Sequence, residues 1–367
     1  MLKWMRFALF VAVTSVAVAA PAAASDGPYI MRSAAGLETW TVEDAPDGAR
    51  KHVAALKEGA TVTVPAVGRY PPFNVKLRAA AAPAADAVTT PAKTPVFVVA
   101  DTHGEFEILA QMLVNQKILD AKLRWAFGPG HLVVLGDVFD RGPNHLEILW
   151  LLYELEAQAA KAGGGVHLVL GNHETMIMRG DQRYLNPKYV ETAGIFGVPY
   201  PELFTADTVL GQWLRTRPVM FAINGNLCLH GGVSRALTDR KLTLAQINAT
   251  ARASLSDSLR DDDERERATF LFSLLGPLWY RGYFADQRDF PIATQDDVAA
   301  ALSRFGARRI LIGHTMVPTI TPLYEGKVIA VQVYPKREDA THVTFESLLI
   351  RGGKLFRATP DGTAQPL

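Results

Sequence analysis

Val96-Phe97-Val98-Val99-Ala100-Asp101-Thr102-His103-Gly104 is five apolar residues in a row, followed by a carboxylate, an imidazole and a glycine where the run stops. A continuous apolar run predicts a strand buried on both faces, as in a sheet covered by other layers. The pattern recurs downstream. Leu132-Val133-Val134-Leu135 leads into Gly136-Asp137-Val138-Phe139-Asp140-Arg141-Gly142, and the run 166–170 leads into Gly171-Asn172-His173-Glu174. Helical spacing fills the intervals over 105–119 and 143–161, with Pro143 at a first-turn position and Gly163-Gly164-Gly165 closing the second helix. Strand, helix, strand, helix, strand predicts a right-handed βαβαβ unit with a parallel sheet.

Two further strands end in the same way. Leu227-Cys228-Leu229 precedes His230-Gly231-Gly232, and Ile310-Leu311-Ile312 precedes Gly313-His314-Thr315. Asn224-Gly225 marks a two-residue hairpin between Met220-Phe221-Ala222-Ile223 and the strand before His230. The stretches 328–333 and 342–357, the latter turning at Gly352-Gly353, are β-type; 175–217 and 237–275 are mostly helical insertions. Apolar strands on both sides of the insertions predict an α/β fold, an αββα sandwich of two mixed sheets flanked by helices. The charged run 261–267 reads as a solvated face.

Upstream, 25–93 reads as a β-rich extension with a linker. It holds a turn at Asp26-Gly27-Pro28-Tyr29, the runs Thr61-Val62-Thr63-Val64 and Phe73-Asn74-Val75-Lys76-Leu77, and an Ala/Pro/Thr-rich flexible linker over 79–91. Residues 1–24 read as a secretory signal: Lys3 and Arg6, an apolar stretch over 7–20, and Ala22-Ala23-Ala24 as the cleavage pattern. The stretch is short for a membrane span, so the expectation is export and, in a Gram-negative cell, the periplasm, with no membrane attachment after cleavage.

Across 367 residues, 38 Lys and Arg nearly balance 37 Asp and Glu, which gives no footprint for nucleic acid. The lone cysteine, Cys228, excludes an intrachain disulfide and reads as a small core residue.

Ligands of α/β sheets bind at the carboxyl ends of strands. Four of the nine histidines, His103, His173, His230 and His314, stand at such ends. Carboxylate, imidazole and carboxamide oxygen suit Mn, Fe or Zn rather than thiolate-seeking ions. Asp101 and His103 are two residues apart and can share one ion; Asp137, on the middle motif, is the natural bridge between two.

These blocks, Asp101-Thr102-His103-Gly104, 136–142 and 171–174, with the two later histidine blocks, resemble the phosphoprotein phosphatase family of calcineurin-like metallophosphoesterases. The resemblance covers 94–333 and makes 94–367 the catalytic domain. It implies two divalent metal ions, one held by Asp101, His103 and Asp137 and the other by Asp137, Asn172, His230 and His314. It further implies His173 as general acid, Asp140 as its orienting carboxylate and Arg141 as a phosphate clamp. Arg281, in Pro277-Leu278-Trp279-Tyr280-Arg281-Gly282, is the candidate for a second clamp. That segment and Gly180-Asp181-Gln182-Arg183-Tyr184-Leu185 look most like the Shewanella-like (bacterial-like) protein phosphatases. After His314 the chain reads Thr315-Met316-Val317-Pro318-Thr319-Ile320, where the eukaryotic enzymes carry Ser-Ala-Pro-Asn-Tyr; inferences about substrate preference from those enzymes do not transfer.

The implied activity is hydrolysis of a phosphorylated protein, possible tyrosine direction included, or of a small phosphomonoester. A hydroxide bridging the ions would attack phosphorus in line while His173 protonates the leaving oxygen. A dinucleoside-polyphosphate hydrolase or other phosphoesterase on the same core stays open, as does, remotely, an inactive binding protein. His131, His145 and His167 read as structural, His52 and His342 as surface residues, Glu174 as a supporting group rather than a ligand, and Trp279 and Tyr280 as either pocket or packing.

Overall fold

The computed structural model describes residues 26–34, 36–46, 48–79, 82–339 and 342–367; the expected signal, 1–24, lies outside the described residues. Two six-stranded sheets form the centre. The first has the order Ala364–Pro366, Lys354–Ala358, Ser347–Arg351, Val96–Val99, His131–Val134, Gly165–Leu168. Its last three strands are parallel, in the register Val96↔His131↔Gly165, and the others pair antiparallel. The second runs Thr321–Leu323, Val328–Ala330, Arg309–Ile312, Asn226–Leu229, Met220–Ile223, Ala87–Val88, also mixed.

Alternation explains the apolar runs. Val96, Val98, Ala100, Val133 and Leu135 face Phe221, Ile223, Cys228, Leu311 and Ile329 of the other sheet. Phe97, Val99, Leu132 and Val134 face outward into the larger core with the helices Phe106–Asn115 and His145–Lys161. Each strand therefore buries both faces, one against a sheet and one against helices, and the αββα layering follows. The hairpin forms as its sequence predicts: Asn224 and Gly225 both have positive φ, 48° and 76°, the requirement of a type I′ turn.

Four segments differ from expectation. The turn read at Asp26-Gly27-Pro28-Tyr29 lies instead in the strand Asp26–Ser33, which pairs with Gly36–Glu43. The first helix ends at Asn115, not 119; Ile118 and Leu119 are buried by a turn in which Lys117 takes φ 62°, so their apolar spacing reflects the chain folding back. The second helix starts at His145, because the Pro143 carbonyl is held from outside by Lys188 Nζ (2.9 Å) and Tyr189 Oη (2.7 Å). The expected flexible linker holds the strand Ala87–Val88, parallel to Ala222–Ile223, with Thr90 N donating to Asn224 Oδ1 at 2.9 Å.

The extension packs on the same body. A three-stranded sheet, Asp26–Ser33, Gly36–Glu43 and Arg50–Leu56, lies against the helices of the first insertion, Pro187–Phe196 and Val209–Arg215. The hairpin Thr61–Val64 and Phe73–Lys76 leans on the helix His145–Lys161, where Arg78 N donates to Tyr153 Oη at 2.8 Å. Cys228 is fully buried between the sheets, His145 is fully buried, and His131 stacks on His167 with ring nitrogens 2.8 Å apart. Among the described residues, no helix is long and apolar enough to cross a membrane.

Candidate metal centre

The loops after five strands converge at one end of the sandwich. The first two are joined by backbone bonds from Thr102 N and His103 N to the Asp137 carbonyl, at 3.0 and 2.9 Å. The second and third touch so closely that a Cβ on Gly136 would fall 2.3 Å from Gly171 N; glycine is required there by contact. Gly313 N donates to the His230 carbonyl and His314 N to Asp101 Oδ1, at 2.9 and 3.1 Å, which draws in the fourth and fifth loops.

Convergence forces unusual backbone. His103, Asp137, Asp140, Arg141 and His314 all have positive φ, between 42° and 69°. Such conformations cost about 1–3 kcal/mol each for side-chain-bearing residues and persist only where surroundings impose them. Much of the imposition comes from Glu174. Its Oε2 accepts from Asp137 N (2.8 Å) and Gly171 N (2.7 Å), its Oε1 from Val138 N (2.7 Å) and Phe139 N (3.3 Å). Glu174 is thus not a ligand but the carboxylate that ties the second loop to the third. Burial and the nearby Asp137 push its pKa up while those N–H groups pull it down.

Asp137 sits at the hub. Its Oδ2 is 3.0 Å from His230 Nε2, 3.7 Å from His173 Nε2 and 3.9 Å from His103 Nε2, while Oδ1 accepts from His173 N at 2.9 Å. Burial alone would raise its pKa, but His230, His173 and His103 hold the carboxyl well below the usual range. Two groups of ligating atoms lie within 4.8 Å of one another: His103, Asp137 and His173, and Asp137, His230 and His314. Asp137 belongs to both, as a bridging carboxylate must.

The donor set fits cations. His103 Nδ1 is spent on the Phe139 carbonyl (2.9 Å) and His230 Nδ1 on the Leu135 carbonyl (2.7 Å), so each Nε2 faces the centre. Around His230 Nε2 stand Asp137 Oδ2, Asn172 Oδ1 (2.9 Å) and His314 Nδ1 (3.1 Å), three lone-pair groups meeting at one point. Burial drops His103 to about 3 and, with His230 and Arg281, holds His314 well below its ordinary value, so both are neutral and able to ligate. His230 loses some basicity to burial, but Asp137 and Asp101 lift it to about 9; a proton and a metal compete for its lone pair. Asp101 lies on the same floor, 3.8 Å from His230 Nδ1 and raised to about 6 by burial. It falls outside both groups but lines the same cleft, and His173 stands with His103 and Asp137 in the first group.

His173 is distinguished by its partner. Its Nδ1 meets a carboxylate, Asp140 Oδ2, at 2.6 Å rather than a carbonyl. Burial opposes the charged ring, but Asp137 and Asp140 outweigh it and raise the pKa. Arg141 reaches the cleft with its guanidinium 5.8 Å from the Tyr334 ring. Arg281 Nε donates to His314 Nε2 at 3.0 Å. Ligation through His314 Nδ1 would put the ring proton on Nε2, facing that same N–H, so metal binding and this Arg281 contact oppose each other.

All ten sequence-predicted site residues are in this place, and the cleft of about 110 Å³ is lined by eight of them, with Asp140 and His230 behind. Its remaining walls are Tyr184, Trp279, Met316, Gln332 and Tyr334. Of these, only Trp279 reads from the sequence as a pocket candidate. Tyr334 follows the β-type stretch 328–333, but the strand itself ends at Ala330, four residues earlier. Met316 lies in the segment that departs from the eukaryotic enzymes. Nothing in the sequence marked Gln332.

A family model described as calcineurin-like phosphoesterase matches residues 94–318. A crystal structure of a cold-active protein-tyrosine phosphatase from a psychrophilic Shewanella species superposes with a TM-score of 0.79 at 34% identity, covering 94% of this chain and 99% of that one. Shewanella-like protein phosphatase 1 of Plasmodium berghei is 27% identical over 230 residues, 61% of this chain and 62% of its own. Shewanella-like protein phosphatase 2 of Arabidopsis thaliana is 38% identical over 93 residues, 25% and 24% of the two chains. The matches span less than two thirds of the length of these last two relatives.

Proposed function

The chain belongs to the calcineurin-like phosphoesterase family, with Shewanella-like protein phosphatases among its relatives, and from that premise we propose that it removes phosphate from phosphorylated proteins, with aryl phosphates such as phosphotyrosine preferred. The observation that carries the preference is the aromatic rim. Tyr184 stands 5.2 Å from the His173 ring, Trp279 5.6 Å from His314 and Tyr334 6.0 Å from His103. Three rings around the point where a leaving group departs favour a planar aryl group, each such contact contributing about 0.5–1.5 kcal/mol beyond burial.

Asp101, His103 and Asp137 would hold one divalent ion and Asp137, Asn172, His230 and His314 the other, with Mn, Fe or Zn suited to these donors. Bound there, the ions would supply Lewis acidity and an activated water nucleophile. Arg141, and Arg281 once free of His314, would clamp the phosphoryl oxygens and offset the charge that grows on them. His173 would carry a proton on Nε2 toward the leaving oxygen, with Asp140 fixing the ring through Nδ1. Export through residues 1–24 completes the proposal and places the substrates outside the cytoplasm.

The test is phosphate release by Mn-loaded protein from phosphotyrosine, phosphoserine and phosphothreonine peptides and from diadenosine tetraphosphate, with Asp137→Asn as the blank. Phosphotyrosine peptide should give the highest kcat/KM. Preference for the dinucleotide would overturn the protein-phosphatase reading, and preference for phosphoserine would overturn the role given to the rim.

A further inference from the structure

Directly behind the Asp140-Arg141 loop lies a buried charge cluster that the proposed chemistry does not use. Lys188 Nζ is 3.0 Å from Asp26 Oδ1 and 3.3 Å from Glu147 Oε1. Asp26, on the N-terminal strand, is 3% exposed, and its Oδ2 accepts from Tyr29 Oη (2.7 Å) and Thr192 Oγ1 (2.8 Å). Burying an ammonium and two carboxylates has a large desolvation penalty, so such a cluster is poor evidence for stability and calls for another role.

The contacts point to one. Lys188 Nζ and Tyr189 Oη both hold the Pro143 carbonyl, Asn186 Nδ2 holds the Arg141 carbonyl at 2.6 Å, and the Tyr184 carbonyl accepts from Arg141 N at 3.1 Å. The segment 184–192 therefore grips 141–143 at four points. The grip falls where two consecutive side-chain-bearing residues, Asp140 and Arg141, take φ of 69° and 65°, a conformation that does not hold itself. Asp26 in turn fixes the gripping segment through Lys188 and Thr192.

We propose that Asp26 and Lys188 are positioning residues for Arg141, so that the N-terminal strand sets the phosphate-binding geometry of the catalytic loop. This rests on the reading of Arg141 as a phosphate clamp. A displacement of the guanidinium of about 1 Å is enough for a large kinetic effect, and removal of a supporting partner typically costs about 10–100-fold.

The experiment measures inhibition by inorganic phosphate, against p-nitrophenyl phosphate and Mn-loaded full-length protein, with melting temperature alongside. Asp26→Asn keeps shape and removes the charge facing Lys188. Asn186→Ser keeps a helix-capping oxygen but cannot reach the Arg141 carbonyl, and so tests the grip without disturbing the buried cluster. Leu37→Ala, in the same N-terminal sheet but outside these contacts, serves as the control for lost stability alone. Asp26→Asn and Asn186→Ser should each raise the phosphate Ki and the KM about tenfold with a smaller change in kcat, while Leu37→Ala lowers the melting temperature and leaves Ki unchanged. The proposal is overturned if Arg141→Ala raises Ki and these two variants do not, or if Leu37→Ala raises it equally. An unchanged Ki in Arg141→Ala overturns instead the clamp reading on which the proposal rests.

Discussion

Replacing Glu174 by glutamine tests the claim that one buried carboxylate holds the metal-binding loops in their strained form. The substitution preserves shape and removes one acceptor atom. Whichever way the amide turns, two of the four backbone N–H groups it serves, either Asp137 and Gly171 or Val138 and Phe139, would face another donor. Each buried N–H left without an acceptor costs about 1–3 kcal/mol, and the two surviving bonds lose their charge assistance. The sum is about 3–6 kcal/mol. At about 2 °C per kcal/mol for a long chain, the melting temperature should fall by about 6–12 °C. The loops carry Asp137 and Asn172, so metal affinity should weaken about 10–100-fold. Thermal unfolding and equilibrium dialysis against Mn with metal analysis read the two effects separately. A variant that melts within 2 °C of the parent (about 1 kcal/mol) and binds Mn as tightly would show that the backbone at Asp137 holds its own conformation, and that Glu174 is incidental.

Further expectations concern protons and leaving groups. His173→Ala should damage hydrolysis of phosphoserine peptide by about 10²–10⁴-fold and that of p-nitrophenyl phosphate far less, because a nitrophenolate leaves without a proton; equal losses would remove the acid role. Asp140 raises the His173 pKa, so in Asp140→Asn the ring deprotonates at lower pH and the alkaline limb of the kcat profile should move toward acid. His167 is held near 3 by burial, with His131 and Arg217 adding to it, against an ordinary 6.5. Its folded pKa is depressed, so the unfolded chain takes up the proton first. Stability is therefore full above about 6.5 and falls as pH drops toward 3, by about 2 kcal/mol at pH 5. Denaturation midpoints followed against pH should show a flatter fall in His167→Gln, and identical slopes would contradict this.

The parts of this molecule legible from sequence are those where one residue type has one physical reason to be there. The run 96–100 could only be a doubly buried strand, and the structure divides it between the two cores, Val96 and Val98 inward, Phe97 and Val99 outward. Asn224-Gly225 could only be a tight turn. The candidate ligand residues are legible because each follows a strand, where side-chain type alone announces chemistry. What escaped were roles assigned by distant partners. Ala87–Val88 reads as linker by composition and becomes a strand only because the exposed edge of Met220–Ile223 is beside it. Glu174 reads as a supporting group at a helix start, which its bond to Gly171 N bears out, but nothing local marks the three amides it serves on the neighbouring loop. Asp26 sits in what reads as a turn, and its carboxylate becomes meaningful only when Lys188, far along the chain, is brought to 3.0 Å. Tyr334 lies between these cases: it follows a β-type stretch, but its strand ends at Ala330, and the segment beyond that end brings it to the cleft. A residue some way past such an end need not be a candidate ligand to belong to the site; it can line the cleft that the candidate ligands form.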